Sequence, residues 1–188
     1  MTLSSSHVLE SPGLGGAERF FIRPVNVLAK RPENTAVVGR PKSPVPRFLH
    51  PAVSVPDVAM RTEWDSFSTL KLRALIRHRA HAVAQTHMRQ ATRLTRIPRT
   101  SSAVHMARLG RSVKIPGDNT HTLGWIGNTK GIRDDLVRHG LSPHRVFHIP
   151  NFGPAPAPIS TENLAQRCLQ WHIPKKKRRA SCFLRDAS

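Results

Sequence analysis

Apolar positions along the first 150 residues alternate between short continuous runs and helical periods. After Leu14-Gly15-Gly16, the residues Ala17, Phe21, Val25 and Leu28 keep helical spacing through Lys30, so a Gly-rich loop opens a helix. Pro24 lies inside that pattern and should kink the helix or end it, because proline removes an N–H and crowds the preceding turn. Thr35 to Gly39 is a short β-like run, followed by a Pro-rich stretch from Pro41 to Pro56. Ser66 to Ala80 predicts a second helix, with Phe67, Leu70, Ala74 and Leu75 facing inward and Arg73, Arg77 and Arg79 in solvent. Ala82 to Thr86 reads as a buried strand and Met88 to Ile97 as a helix. Ala103 to Leu109 and Leu123 to Gly127 predict two further strands. Asn128-Thr129 then caps a helix running to His139, with Gly140 at the position past its end and Asp134 and Asp135 in solvent. Arg145 to Ile149 is a last strand, ended by Pro150-Asn151. Strands alternating with helices imply an α/β domain built on a mostly parallel sheet.

Beyond Phe152 the chain changes character. Residues 1–153 read as the α/β domain, 154–174 as a Pro-rich linker with a short helix from Thr161 to Trp171, and 175–188 as a short irregular basic tail expected to be disordered. The chain has 188 residues, enough for one domain with a real core. Cys168 and Cys182 make no disulfide framework and suit a reducing cytoplasm. No run approaches the ~18 apolar residues of a membrane span, and the first residues lack the basic start and apolar centre of a signal peptide.

Charge adds a sharper constraint. The net charge is +19. The first 70 residues hold eight basic and six acidic groups, the rest 22 and five, and no acid occurs from Ser66 to Gly117. A field of that sign attracts phosphates, whether of nucleic acid, anionic lipid or a sugar nucleotide.

Some residues are placed by the predicted sheet to meet such a ligand. His87 follows an apolar strand and falls at the carboxyl edge of the sheet, where open α/β sheets bind ligands; the alternative is a surface histidine. Arg108 ends the next strand and can grip a phosphate with two parallel N–H bonds, or stay solvated. Gly15 and Gly16 allow a close backbone approach at a helix N-terminus that favours an anion, or form a plain turn. Lys130 opens a helix after a strand. Arg93 and Arg96 lie on one helical face and read as a solvated or lipid-facing stripe. His78 and His81 are three apart with no third ligand at useful spacing, so no metal is expected.

Several blocks, taken in order, resemble one family. They are Leu14-Gly15-Gly16-Ala17-Glu18-Arg19, then Gln85-Thr86-His87-Met88 with Ala91-Thr92-Arg93-Leu94-Thr95-Arg96, then Ala107-Arg108-Leu109-Gly110. Trp125-Ile126-Gly127-Asn128-Thr129-Lys130-Gly131-Ile132 follows, and the last is Arg145-Val146-Phe147-His148-Ile149-Pro150-Asn151-Phe152. Together they are similar to glycosyltransferase family four, the retaining GT-B sugar transferases of bacterial lipopolysaccharide and polysaccharide synthesis. The resemblance implies a Rossmann-like sheet forming the N-terminal, acceptor-side half of a GT-B fold, with the nucleotide-sugar-binding half absent. It implies a nucleotide sugar as co-substrate with no other cofactor, and a lipid-linked saccharide acceptor such as lipopolysaccharide core. It places the chain in the cytoplasm, peripheral at an anionic inner membrane face. By the same resemblance the Gly15-Gly16 loop lies beside the donor phosphates; the strand-end positions make Arg108 a further donor-phosphate ligand, His87 the catalytic candidate that hydrogen-bonds the acceptor hydroxyl or the transferred sugar, and Lys130 a substrate-binding residue. Pro24, Arg89, Arg111 and the segment from Lys175 depart from the family pattern, which suits a truncated copy. Two other readings stay open: a basic nucleic-acid-binding protein, resting on the charge and on Lys175-Lys176-Lys177-Arg178-Arg179, and a non-functional fragment.

Overall fold

The computed structural model describes residues 4–30, 35–78, 83–98, 100–110, 121–153 and 160–172. They belong to two compact units, 1–152 and 153–188. In the first, β1 (Ser5–Glu10), β2 (Thr35–Gly39), β3 (Asp57–Val58), β4 (Val83–His87), β5 (Val104–Leu109), β6 (Gly124–Gly127) and β7 (Val146–His148) form one sheet. The strand order is β3-β2-β1-β4-β5-β6-β7, and every neighbouring pair is parallel. The order reverses between β1 and β4, which makes that point the natural crevice of the sheet. The α/β, Rossmann-like reading of the sequence therefore holds.

Helices cover both faces. On one face α1 (Gly16–Leu28) lays Phe21 and Val25 on Leu9, with Val45, Leu49 and Val53 completing that core. On the other, α2 (Ser66–His78) and α3 (Arg89–Leu94) bring Leu72, Ala91 and Leu94 against Val8, Val58 and Met60. Farther along the same face α4 (Lys130–Arg138) packs Leu136 on Ala107, Trp125 and Val146. Val8 and Leu9 point to opposite faces because strand side chains alternate. The Thr129 hydroxyl caps α4 by accepting the Ile132 N–H at 3.2 Å, and Gly140 beyond the helix has φ +92°, the left-handed conformation that suits glycine. The second unit holds α5 (Thr161–Gln170), capped by Ser160, whose hydroxyl accepts the Asn163 N–H at 3.2 Å.

The first helix runs through Pro24 to Leu28, as its apolar spacing implies, so of the two outcomes expected at the proline it is not the helix end. Three local expectations need correction. The helix expected from Met88 to Ile97 stops at Leu94, where Thr95 leaves helical geometry. Asp135 is half-buried and paired with Arg138 at 2.9 Å, although Asp134 is exposed as expected. The second helix presents a different face from the one expected. Phe67, Leu70 and Ala74 are exposed, while Ser68, Leu72 and Ile76 point inward. Ser68 sets that rotation: its hydroxyl donates to Asp65 at 2.8 Å and accepts the Met60 N–H at 2.9 Å, which pins the first turn against the loop leaving β3. Asp65 in turn accepts the Ser68 N–H at 3.0 Å, a carboxylate cap on the helix. His81, with residues 79–82, 111–120 and 173–188, lies outside the described residues.

This rotation is testable. Leu72→Ala should cost about 2–5 kcal/mol of unfolding free energy, as for other buried leucines, and Leu70→Ala no more than about 0.5 kcal/mol. Urea denaturation of the two variants checks it; equal losses would contradict the described face.

Candidate active site

At the carboxyl edge of the sheet, beside the switch between β1 and β4, opens a cavity of about 540 Å³. Gly16, Ala17 and Phe20 of α1 form one wall, and His87, Met88 and Arg89 after β4 another. Arg108, Leu109 and Gly110 at the end of β5, Asn128 after β6 and Asn151 after β7 close the rest. None of these lining residues is acidic, and two are arginines.

The Gly-rich loop is arranged by Glu18. Its buried carboxylate reaches back to accept the Gly15 N–H at 2.7 Å and the Ser11 hydroxyl, while the Arg19 N–H bonds the Gly15 carbonyl at 3.1 Å. Burial pushes this carboxyl up, but the Ser11 hydroxyl and the N–H groups of Glu18 and Gly15 outweigh it and hold the pKa below the usual value. Glu18 is therefore an internal anion at the helix N-terminus, and the Gly15 N–H is engaged. Gly16 differs: it lies on the cavity wall, and a Cβ there would meet nothing within 4 Å. Helix geometry leaves the Gly16 and Ala17 N–H groups without intrahelical acceptors, so the exposed end of α1 offers donors to the cavity.

Arg108 is 7 % exposed. Its Nη2 donates to the Ile149 carbonyl at 2.8 Å and to Asn151 Oδ1 at 2.9 Å, and its guanidinium lies 4.1 Å from the Phe20 ring centroid. Among the described residues no carboxylate pairs with it. Burial pushes its pKa down from the ordinary arginine value, yet an arginine remains charged at neutral pH. A buried cation held by neutral acceptors and an aromatic face favours an incoming anion.

His87 is buried, with its ring 5.0 Å from Phe21, 6.0 Å from His7 and 6.5 Å from Phe20 by centroid. Gln85 Nε2 stands 3.2 Å from its Nε2, so a donating amide makes that ring nitrogen an acceptor. Burial first, then the positive charges of His7 and Arg108, pushes the His87 pKa well below the usual histidine value. The imidazole is neutral at physiological pH. Met88, the next residue, has φ 74°, a left-handed conformation that costs a side-chain-bearing residue energy and concentrates at functional sites.

No protein-family model and no curated protein sequence matches the chain. Solved structures do. HepE of Anabaena in complex with UDP superposes with TM-score 0.67 at 10 % identity, over 91 % of this chain and 50 % of that one. The lipopolysaccharide outer core galactosyltransferase WaaB gives TM-score 0.57 at 11 % identity, over 85 % and 47 %. A UDP-N-acetylglucosamine 2-epimerase from Rickettsia bellii gives 0.58 at 9 %, over 96 % and 52 %. The chain spans about half the length of these structures. It has the fold of one GT-B lobe.

Within this GT-B lobe, Gly16, His87 and Arg108 share one cavity, Gly15 stands behind it bonded to Glu18, and Lys130 does not line it. Lys130 is exposed at the first position of α4. Phe20, Asn128 and Asn151 line the cavity without having been singled out individually from the sequence; the Asn151 signal was present in the Ile149-Pro150-Asn151 block. Arg93 corrects the expectation of a solvated stripe. It is 7 % exposed, pairs with Glu63 at 3.1 Å and lies 3.7 Å over the Trp64 ring, while Arg96 is exposed past the helix end. Among the described residues no group of three or more His, Cys, Asp or Glu side chains is placed to hold a metal.

A buried polar chain backs the cavity on the opposite face of the sheet. The Thr92 hydroxyl donates to the Met88 carbonyl at 2.9 Å, which leaves it to accept from Thr86 at 2.9 Å, and Thr86 to accept from His105 Nε2 at 3.1 Å. His105 stacks on His121 at 5.3 Å. Burial, with the His121 charge second, pushes its pKa down to about 3.

Both depressed histidines give stability a pH dependence of known sign. Below the unfolded-chain pKa of about 6.5, the unfolded state takes up protons that native His87 and His105 refuse. Their contribution is thus complete above that pH and is lost as pH falls, down to about 3 for His105. The urea midpoint should be lower at about pH 5 than at about pH 7.5, and His105→Asn should narrow that difference. A midpoint independent of pH in this range would contradict the neutral burial of both rings.

Proposed function

We propose that the chain is the acceptor-side lobe of a glycosyltransferase that moves a sugar from a nucleotide sugar to a lipid-linked saccharide, such as lipopolysaccharide core, at the inner membrane face. The observation that carries the reading is the acid-free cavity at the switch point, where a buried Arg108, with no carboxylate partner among the described residues, faces the open end of α1. The similar structures include one holding UDP and one named a galactosyltransferase, which supports nucleotide-sugar chemistry for this half-cleft.

In the proposed reaction the bond from the sugar anomeric carbon to the leaving diphosphate breaks, the acceptor oxygen bonds that carbon, and its proton passes to an oxygen of the departing diphosphate. Arg108 and the Gly16 and Ala17 N–H groups stabilise the charge growing on the diphosphate. Neutral His87, whose Nε2 accepts from Gln85, carries its proton on Nδ1 and donates it to an oxygen of the sugar or the acceptor. Gly15 acts indirectly, since its engaged N–H fixes the loop that presents Gly16. Lys130 adds positive charge at the same sheet edge. The donor sugar and ribose are gripped by a second lobe, supplied by a longer chain or another protein.

The test is to fuse the donor lobe of a structurally similar transferase at Phe152 and measure transfer from UDP-sugars to lipid-linked saccharide. Transfer should appear, and Arg108→Ala should lower kcat/KM by about 100-fold, the scale of losing one donor to a developing oxyanion. His87→Asn should lower kcat with circular dichroism unchanged. Turnover indifferent to both substitutions would remove the cavity from the mechanism, and epimerised nucleotide sugar without transfer would replace the transferase reading.

A further inference from the structure

The face that α2 turns outward is apolar where solvent-facing helices are usually polar. Trp64, Phe67 and Leu70 are 72 %, 87 % and 61 % exposed, and Ala74 continues their line at helical spacing. Arg61 and Lys71 flank Trp64 and Phe67 in one shallow groove, and Arg73 and Arg77 flank Leu70 in the next. The helix itself contains no acidic residue. Of the three acids beside it, Asp65 is engaged by Ser68 and by the Arg61 N–H, Glu63 by Arg89 and Arg93, and Asp57 is exposed at the rim of the first groove, where the cations outnumber it. Arg93 also backs the Trp64 ring at 3.7 Å, which holds the indole on the surface.

We infer that the Trp64–Phe67–Leu70 ridge docks the chain on an anionic lipid bilayer. Aromatic and leucine side chains enter the boundary between headgroups and acyl chains, while flanking Lys and Arg pair with lipid phosphates. A second copy of the chain fits the ridge poorly, because a two-fold contact sets the same patch against itself and would oppose Arg61, Lys71, Arg73 and Arg77 to their own equivalents. The ridge is also placed usefully. Glu63, next to Trp64, bonds Arg89, which lines the cavity, so a bilayer on the ridge lies beside the cavity mouth where a lipid-linked acceptor would arrive. Only that last point rests on the proposed function; the docking does not.

Vesicle sedimentation and tryptophan fluorescence test the inference without any sugar transfer. The full chain carrying Trp171→Phe leaves Trp64 as the exposed indole, since Trp125 is buried. With vesicles of phosphatidylglycerol and phosphatidylethanolamine, its emission should shift to the blue and the protein should sediment; with phosphatidylcholine it should do neither. Phe67→Ser with Leu70→Ser should weaken partitioning about tenfold or more and leave the thermal melt unchanged. Replacing Lys175, Lys176, Lys177, Arg178 and Arg179 by Gln should preserve the blue shift. The inference is overturned if the double variant binds anionic vesicles like the parent, if the charge replacements abolish the blue shift, or if neutral vesicles bind equally well. A parent dimer that the ridge substitutions convert to monomer in sedimentation velocity would also overturn it. Loss of transfer with docking intact, or the reverse, separates this surface from the cavity.

Discussion

The placement of Arg108 is the constraint on which the site depends. A guanidinium taken out of water has to find acceptors, and this one finds the Ile149 carbonyl, Asn151 Oδ1 and the face of Phe20. Those partners come from the last strand's exit and from the first helix, so one side chain joins segments about 130 residues apart in sequence. The same region is tied by Phe152, whose ring meets Phe20 edge-on at 5.2 Å and whose carbonyl accepts Arg23 at 3.2 Å. The geometry that satisfies the cation also leaves it facing a cavity with no acid in its walls.

The sheet supplies the rest by topology. Because the strand order reverses between β1 and β4, the loops leaving those strands diverge to opposite faces and open a crevice above their ends. His87, Arg108 and Asn128 reach the crevice because each ends or follows its own strand, not because they are near in sequence. Glu18 contributes by neutralising the loop behind the first helix, which keeps Gly15 in place and leaves the next two amides for the cavity. The polar chain from His105 through Thr86 and Thr92 ends on the Met88 carbonyl and fastens the strained residue between His87 and α3.

Much of this was legible from residue order. The alternation of strands and helices, the Thr129 cap and the Gly140 stop are local signals, and the structure keeps them. The strand Ser5–Glu10 was not, because a central strand covered on both faces lacks an apolar–polar alternation, and Ser5, Ser6 and His7 read as polar. Periodicity misjudged α2 for a different reason. That helix has two apolar stripes, and counting cannot tell which one faces the sheet; the decision rests on Ser68, a polar residue whose inward bonds to Asp65 and Met60 no period reveals. Arg93 was misread likewise, since its partners Glu63 and Trp64 stand about 30 residues earlier and are brought near only by the fold. Positions at strand ends could be named from sequence, whereas the Arg108 clamp needed the sheet order.

Pro24 gives the helix beside the cavity a mechanical character of its own. Having no N–H, it leaves the Phe20 carbonyl without its usual bond four residues on, although α1 continues to Leu28. Phe21 and Val25 anchor the helix to the sheet, while Phe20 stands under Arg108 and against Phe152. Bending is therefore easiest where the helix meets the crevice and hardest where it meets the sheet. A bulky guest pressing on Phe20 would tilt the leading turn of α1, with Gly16 and Ala17, before it disturbed the core.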